Sequence, residues 1–590
     1  MRGRLIAAVF AAVLLVLAGL AWLVLQPGWA VNLAVQQAQS LLGRTLTVKG
    51  GAHLSFSPLA IRLDEVELAG AGLEDGSLLT ASSVVIPVTF GDVLARKADL
   101  SALTLEGAEF ALLIDERGTP SWEFPGAKGG SGISLTLDKA SFRFFDARNS
   151  QSLSLAQVDG VLNLSPDGGI DMEGRAVIAN RVARIDATLK SLPRVHGDGS
   201  PLDLVVELPE ASATFSGRLS TASVLSLTGP FSLVSEKPVD ALRIMGLPVP
   251  AERLETGPLN IDGGMDSAGR AFAIRKASVT LGGFRAAGDV VLDLRNIVPK
   301  LQASLKTPAL RLDAMVPASG ATSDEWGRAL IDFGLLRTFD AEIGIDADSL
   351  NYGTFSTGAA RITMTVAQGK LDASGAARLA DGGTIAFRTT ADANVLPVAV
   401  ALTLKAENTE AGAVITALTG QTILSGNGTV SAALTAEGKT QEELAGTLKG
   451  SASLALTGGR IAGVDAGGVL SAASQNIVEG WSVGETAFDA LTGTATLSDG
   501  IATVKETTLE TPSLGIALSG SADLLRRAID LSATAKLKLA GTGGTAALPV
   551  PVVIKGPWAA PRIYPDIPDI LLDPKAGFAR LKQMGLPAGN

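Results

Sequence analysis

The chain has 590 residues, 46% of them hydrophobic but only 4% aromatic, with 67 glycines and 27 prolines. It carries no cysteine, which excludes disulfides and thiolate chemistry, and its two histidines, His53 in an alternating run and His196 in a Pro/Gly/Asp-rich turn, are read as surface residues without the companion ligands of a metal or acid–base centre. The formal charge is −10 and no basic cluster stands out, which argues against a nucleic-acid partner, because phosphates select a basic face.

The first predicted element is apolar. Leu5 to Leu25 runs for 21 residues without a charge; as a helix it spans about 31 Å, enough for a hydrocarbon core of about 30 Å. The apolar part of a cleavable signal peptide is shorter, roughly 7–15 residues, so an uncleaved single-pass anchor is expected. Arg2 and Arg4 precede the run and the next basic residue is Arg44. The positive-inside bias then puts the N-terminus in the cytoplasm and the bulk of the chain outside.

Trp29 to Leu42 has apolar residues at helical spacing, with Gly43 placed to end the helix. From Thr45 onward the period becomes two, as in Ile61-Arg62-Leu63-Asp64, Ile133-Ser134-Leu135-Thr136-Leu137-Asp138 and Ile362-Thr363-Met364-Thr365-Val366, the pattern of half-buried strands. Turn signals at Asp167-Gly168-Gly169, Asp381-Gly382-Gly383, Asn427-Gly428 and Asp499-Gly500 separate the strands. Their short spacing predicts hairpins and about 35 strands in a mainly antiparallel sheet. Helical interruptions are expected at Phe90–Ala95, Ser323–Leu336, Ala411–Leu418, Thr440–Leu448, Val469–Val478 and Pro574–Met584, with Ser323–Leu336 as the internal boundary.

The expected fold class is therefore mainly β with a few short helices: an N-terminal transmembrane helix, then a long, mostly antiparallel, curled sheet. Such a sheet needs something to bury its apolar face. A closed outer-membrane barrel would need aromatic girdles that 2 Tyr and 6 Trp cannot supply. Two solutions stay open: a string of packed sandwiches, and a trough whose aliphatic lining is covered by lipid. No catalytic constellation is present, since neighbouring carboxylates such as Asp64 and Glu65 lack companion groups, and Gly541-Thr542-Gly543-Gly544 lacks the lysine of a phosphate-binding loop. The chain is read as not an enzyme, with no cofactor.

Three stretches resemble the AsmA family of bacterial envelope proteins. The first follows the anchor: Leu41-Leu42-Gly43-Arg44-Thr45-Leu46-Thr47-Val48, then Leu54-Ser55-Phe56-Ser57-Pro58-Leu59-Ala60-Ile61-Arg62-Leu63-Asp64-Glu65-Val66. The second, Gly118-Thr119-Pro120-Ser121-Trp122-Glu123-Phe124, is similar to the family's Asn-Trp turn, with Ser121 where Asn is usual. The third comprises Gly450 to Asp465 and Leu548 to Asp566.

The resemblance implies a β-groove protein of the Gram-negative inner membrane, related in design to TamB-like lipid transporters and connected with outer-membrane biogenesis. On that reading residues 1–28 are a cytoplasmic tip and anchor, 29–322 an N-terminal AsmA-like groove, 323–337 a helical boundary, 338–566 a C-terminal groove and 567–590 a tail with a short helix. The implied partners are the membrane and phospholipid or another acyl-chain lipid, with envelope proteins as further partners. With alternate residues pointing inward, Leu135, Leu137, Leu155, Ile362, Met364, Leu404, Leu454 and Leu456 are candidate groove-lining positions. The other function open to the chain is that of an envelope assembly or regulatory factor acting through protein–protein contacts.

Overall fold

The computed structural model describes residues 28–565, apart from 43, 71–75, 123–131, 179, 193–196, 240–256, 312–325, 329, 353–354, 420–422, 464, 466–483, 539–548 and 559–560. The expected anchor Leu5–Leu25, the helices at Val469–Val478 and Pro574–Met584, Gly43 and His196 lie outside the described residues. Among those described, no helix is long and apolar enough to cross a membrane.

The fold is mainly β. Thirty-two strands are interrupted by four short α-helices among the described residues, Gly28–Leu42, Phe90–Ala95, Ala411–Thr419 and Gln441–Gly446. The chain divides into two compact units. One comprises Met1–Leu247, Ala251–Gly282 and Val291–Arg295, the other Pro248–Pro250, Gly283–Val290 and Asn296–Asn590.

In the first unit, strands Leu46–Phe56, Leu59–Ala69 and Ser77–Pro87 form an antiparallel meander. Strands Ala102–Glu106 and Glu109–Ile114 then pair antiparallel with Ser77–Pro87 on one side and parallel with Ile133–Asp146 on the other. From Ile133 the chain runs as successive antiparallel neighbours through Ala271–Leu281. In the second unit Lys300–Thr307 pairs parallel with Asp340–Ala347, and antiparallel neighbours follow one another from Ala360–Ala367 to Arg562–Pro565. The expectation of a mainly antiparallel sheet built from hairpins holds, with parallel pairings that alternation alone does not mark, including a short one between Leu310–Arg311 and Leu350–Asn351 in a separate small sheet.

Local chemistry explains the turns. Asp499 and Gly500 both take positive φ, 48° and 74°, the backbone of a two-residue hairpin loop whose twist matches its strands. The Trp122 turn is anchored by Ser121, whose hydroxyl donates to Ala111 O at 3.1 Å and accepts from Leu113 N at 2.9 Å. Ser121 has no positive φ, so what matters at this position is a side chain that bridges to the strand Glu109–Ile114. Trp122 is buried and tilted against Phe144, with ring centroids 6.3 Å apart.

Two local expectations are corrected. Asn427-Gly428 is not a turn; both residues lie inside strand Leu424–Glu437, opposite Thr457 and Leu456. A Cβ on Gly428 would collide with the carbonyl oxygen of Ala455, so glycine is there because the neighbouring backbone comes close. The expected helix Ser323–Leu336 shrinks, among described residues, to a single 3₁₀ turn at Gly334–Arg337. Its donors go elsewhere: Ile331 N to Lys439 O at 2.7 Å, Gly327 N to Gln441 Oε1 at 3.2 Å and Trp326 Nε1 to Leu524 O at 2.9 Å. Tertiary anchoring, with Gly327 and Gly334 lowering helix propensity, overrides the apolar spacing.

Candidate apolar groove

Residues opposite one another in a sheet share a face, so the strand register lays each face out as rows. In the first unit one row reads Ala52, Leu63, Val84, Leu105, Leu137, Gly160, Gly174, Ile185, Val206, Ala213, Leu233, Ile261 and Val279. No polar side chain interrupts it. The adjacent row reads Leu103, Leu135, Leu162, Met172, Ala187, Leu204, Phe215 and Phe231.

In the second unit a row runs Leu305, Ile345, Ile362, Gly375, Phe387, Leu404, Ala432, Ala452, Ala495, Val504, Gly520, Leu531 and Ile554. One residue along, the opposite face reads Thr363, Ser374, Arg388, Thr403, Ala433, Ser451, Thr496, Thr503, Ser521, Asp530 and Lys555. That face carries cross-strand polar pairs such as Thr363–Ser374 at 2.9 Å, Ser431–Ser453 at 2.7 Å and Arg361–Asp346 at 2.6 Å. Exposed pairs of this kind add little stability, about 0–1 kcal/mol each. They keep the face wet.

Burial divides the apolar rows. In the first unit Leu63, Val84, Leu105 and Leu137 are buried in a cluster that also holds Ala30 and Ala34 of helix Gly28–Leu42 and Val93 of helix Phe90–Ala95. This end is a closed core, each such side chain contributing about 1.5–3 kcal/mol of burial. Further along, Val206, Ala213, Ile261 and Val279 are only half-buried. In the second unit Ile345, Ile362, Phe387, Ala432, Ala452, Ala495, Val504, Leu531 and Ile554 are likewise half-buried, whereas Arg388, Thr403, Ala433, Ser451 and Thr496 on the other face are exposed. The apolar side is sheltered without being packed shut.

One helix lies on this face of the second unit. Ala411–Thr419 places Ala411 among Leu456, Phe488, Leu491 and Leu509, and Val414 among Phe355, Leu379, Leu404 and Ala406. Its start is fixed by Glu410, whose carboxylate accepts from the amides of Gly412 at 3.1 Å, Ala413 at 2.9 Å and Gly426 at 3.0 Å. Asp381 holds the preceding strand by accepting from Glu410 N at 2.8 Å, Gly383 N at 2.9 Å and the Thr409 hydroxyl at 2.9 Å. The amides of Glu410 and Gly383 keep the Asp381 carboxyl below the usual aspartate range.

Between Val414 and the small sheet of Leu310–Arg311, Leu350–Tyr352 and Phe355–Ser356, a cavity of about 180 Å³ is lined by Ile362, Ile385, Phe387 and Leu404 among others. An apolar void of about 150 Å³ stays dry and admits a small apolar guest, so this one has room for a short piece of hydrocarbon. Two larger hollows, of about 620 and 630 Å³, open on the polar face, around Arg388, Thr403, Ser431 and Ser451 and around Lys370, Asp372, Asp392 and Lys449. Size does not make them the site: they are open dips most of whose charged groups are already in ion pairs, as Lys370 is with Asp392 at 3.2 Å. The apolar rows are the better candidate, because their chemistry is left unpartnered over a long path.

The model of the AsmA family matches residues 134–507, more than half of the chain. The chain belongs to the AsmA family. No curated protein and no solved structure matches it. The matched span of this AsmA-family chain begins in strand Ile133–Asp146 and ends in strand Ile501–Glu510, so it includes long stretches of the apolar rows of both units.

The candidate residues fall into two classes. Leu135 and Leu137 lie in the closed core of the first unit, with Leu155 half-buried against it. Leu404 and Leu456 are buried beside helix Ala411–Thr419, Leu456 only 1% exposed. Ile362, Met364 and Leu454 are half-buried on the apolar face. Sequence reading did not single out Phe387, Leu402, Leu434, Leu497 and Val504, which occupy the same sheltered face. Alternation could have proposed them strand by strand; only the register shows that they line up. Of the two histidines, His53 is exposed with Nε2 3.1 Å from Asp64.

Proposed function

We propose that this chain holds phospholipid acyl chains along the apolar face of its sheets and serves outer-membrane biogenesis from the inner membrane. The uninterrupted apolar row from Leu305 to Ile554, half-buried over most of its length, carries the reading. Each methylene kept out of water is worth about 0.8 kcal/mol, so a continuous apolar path lowers the barrier to moving a lipid through an aqueous space. The cavity of about 180 Å³ beside Ile362, Phe387 and Leu404 holds no more than a short piece of hydrocarbon, so binding along the row stays shallow. Family membership supports placement in the bacterial envelope; the apolar run Leu5–Leu25 and the flanking Arg2 and Arg4 support a single-pass anchor with a cytoplasmic N-terminus and a periplasmic body. The function is non-enzymatic on this reading.

Photo-crosslinking amino acids at Leu402, Leu434 and Leu497, compared with Thr403, Thr435 and Thr496, test the proposal in the full chain within cells. Lipid adducts at the leucine positions and not at the threonines are expected. Equal labelling of both sets, or none, removes the groove. The rival reading, an assembly factor working through protein contacts, predicts protein adducts instead, concentrated at strand Leu46–Phe56, which among described residues pairs only with Leu59–Ala69.

A further inference from the structure

Helix Phe90–Ala95 is turned the wrong way for a soluble protein. Its Val93 is buried, 3% exposed, while Phe90 and Leu94, one turn apart on the same side, are 69% and 73% exposed. Fraying does not account for this: Thr89 and Asp92 form a complete capping box, Asp92 Oδ2 accepting from Thr89 N at 2.8 Å and Asp92 N donating to Thr89 Oγ1 at 3.2 Å. The helix is held with its large apolar side chains outward. Beside it in the fold, Phe56 at the end of strand Leu46–Phe56 is 65% exposed. Phe56 precedes the turn into Leu59–Ala69, and Leu59 O accepts from Val88 N, just before the helix. Arg96 and Lys97 follow the helix, both exposed, and neither makes an ion pair with a described residue.

The first described element points toward this end. Helix Gly28–Leu42 packs along strand Leu46–Phe56, to which it is joined by a short connection, so the two run in opposite directions. The helix is about 22 Å long and the strand about 36 Å, so Gly28 comes past the middle of the strand on the way to Phe56, and Ala30 shares a buried cluster with Val93 of helix Phe90–Ala95. The chain before Gly28 carries the apolar run Leu5–Leu25.

We propose that Phe56, Phe90 and Leu94 form an apolar tip that sits in the headgroup region of the membrane carrying the anchor, with Arg96 and Lys97 facing anionic lipid. Outward Phe and Leu beside basic residues are the composition of an interfacial segment. This inference rests on the single-pass anchor described above, and the test separates the two.

Because the chain has no cysteine, Phe90→Cys, Leu94→Cys and a control, Leu153→Cys, each give a single labelling site; Leu153 is 60% exposed in the same unit. The full chain, labelled with an environment-sensitive fluorophore, is reconstituted into phosphatidylcholine vesicles with or without phosphatidylglycerol. A blue shift at 90 and 94, quenching there by headgroup-nitroxide lipid and none at 153 are expected, stronger with the anionic lipid. If positions 90 and 94 behave like 153, the tip proposal is overturned. Vesicle flotation after an alkaline wash reads the anchor separately: a chain that stays bound with unquenched 90 and 94 keeps the anchor and loses the tip. A chain stripped by the wash loses the anchor, and quenching before the wash then decides the tip alone. Phe90→Ser/Leu94→Ser with the label at Phe56→Cys should abolish most of the quenching; full quenching in that variant also overturns the proposal.

Discussion

At the scale of single residues, Asp146 is the strongest local commitment in the first unit. It is 0% exposed, pairs with Arg148 at 2.7 Å and accepts from Asn149 Nδ2 at 3.0 Å. Arg148 in turn donates to Thr221 O at 2.8 Å and Ala222 O at 3.0 Å, and Asn149 to Ser223 O at 2.9 Å, so one turn fastens a loop some seventy residues later. Burial pushes the Asp146 carboxyl upward, but the hydrogen bonds and charge of Arg148 outweigh it and hold the group below its ordinary value. Because the folded form is the stronger acid, the associated stability is complete above about pH 4, the unfolded aspartate range. It is lost as pH falls through the lower folded-state value. Asp146→Ala leaves Arg148 without its partner and should cost about 3–5 kcal/mol, measured by denaturant unfolding, with a flatter acid limb than the parent chain. The sequence shows this residue only as one more acidic position at a strand end; nothing local announces a partner loop at 221–225.

Glycine positions give a second residue-scale prediction. Gly428→Ala puts a methyl group against the Ala455 carbonyl and should destabilise the second unit by about 1–3 kcal/mol or more, read as a lower unfolding midpoint. The dipeptide Asn427-Gly428 looks like a hairpin turn because the same residue types serve turns and close backbone approaches. Composition does not separate those two uses, whereas Asp499-Gly500, flanked by alternating runs, is legible as the turn it is.

At the scale of elements, the short helices were readable where a capping residue marks the start. Thr89 and Thr440 both cap their helices with a side-chain oxygen, and Phe90–Ala95 and Gln441–Gly446 lie where the sequence puts them. Ser323–Leu336 lacked such independence, since its backbone donors answer to Lys439 and Gln441. Helix Ala411–Thr419 depends on Glu410 for its first amides. Glu410→Ala should cost about 0.5–2 kcal/mol, seen in hydrogen exchange as faster opening at residues 412–415 while the neighbouring strands keep their protection.

At the scale of the whole molecule, alternation made the two faces legible long before any register was known. It did not reveal which stretches of the apolar face are closed. Leu135 and Leu404 look identical to Leu402 and Leu434 in a sequence, yet the first pair is buried by other parts of the chain and the second is half-buried. The difference comes from what packs on top, which local pattern does not encode. Leu434→Asp with Leu497→Asp should therefore interrupt lipid retention with little loss of stability, since a half-buried position can turn a carboxylate toward water. Lipid co-purifying with the full chain, counted by mass spectrometry alongside the unfolding midpoint, checks both halves of that statement.

Among the described residues, nearly every strand of the second unit pairs only with the one synthesised just before it and the one just after. Delivered from its N-terminus, such a chain can be laid down like a knitted row, each new strand finding its template waiting. Lys300–Thr307 is the dropped stitch: its parallel neighbour Asp340–Ala347 arrives only after the intervening segment has passed. Assembly should pause there, and a chaperone that guards open strand edges has its clearest opportunity at that point.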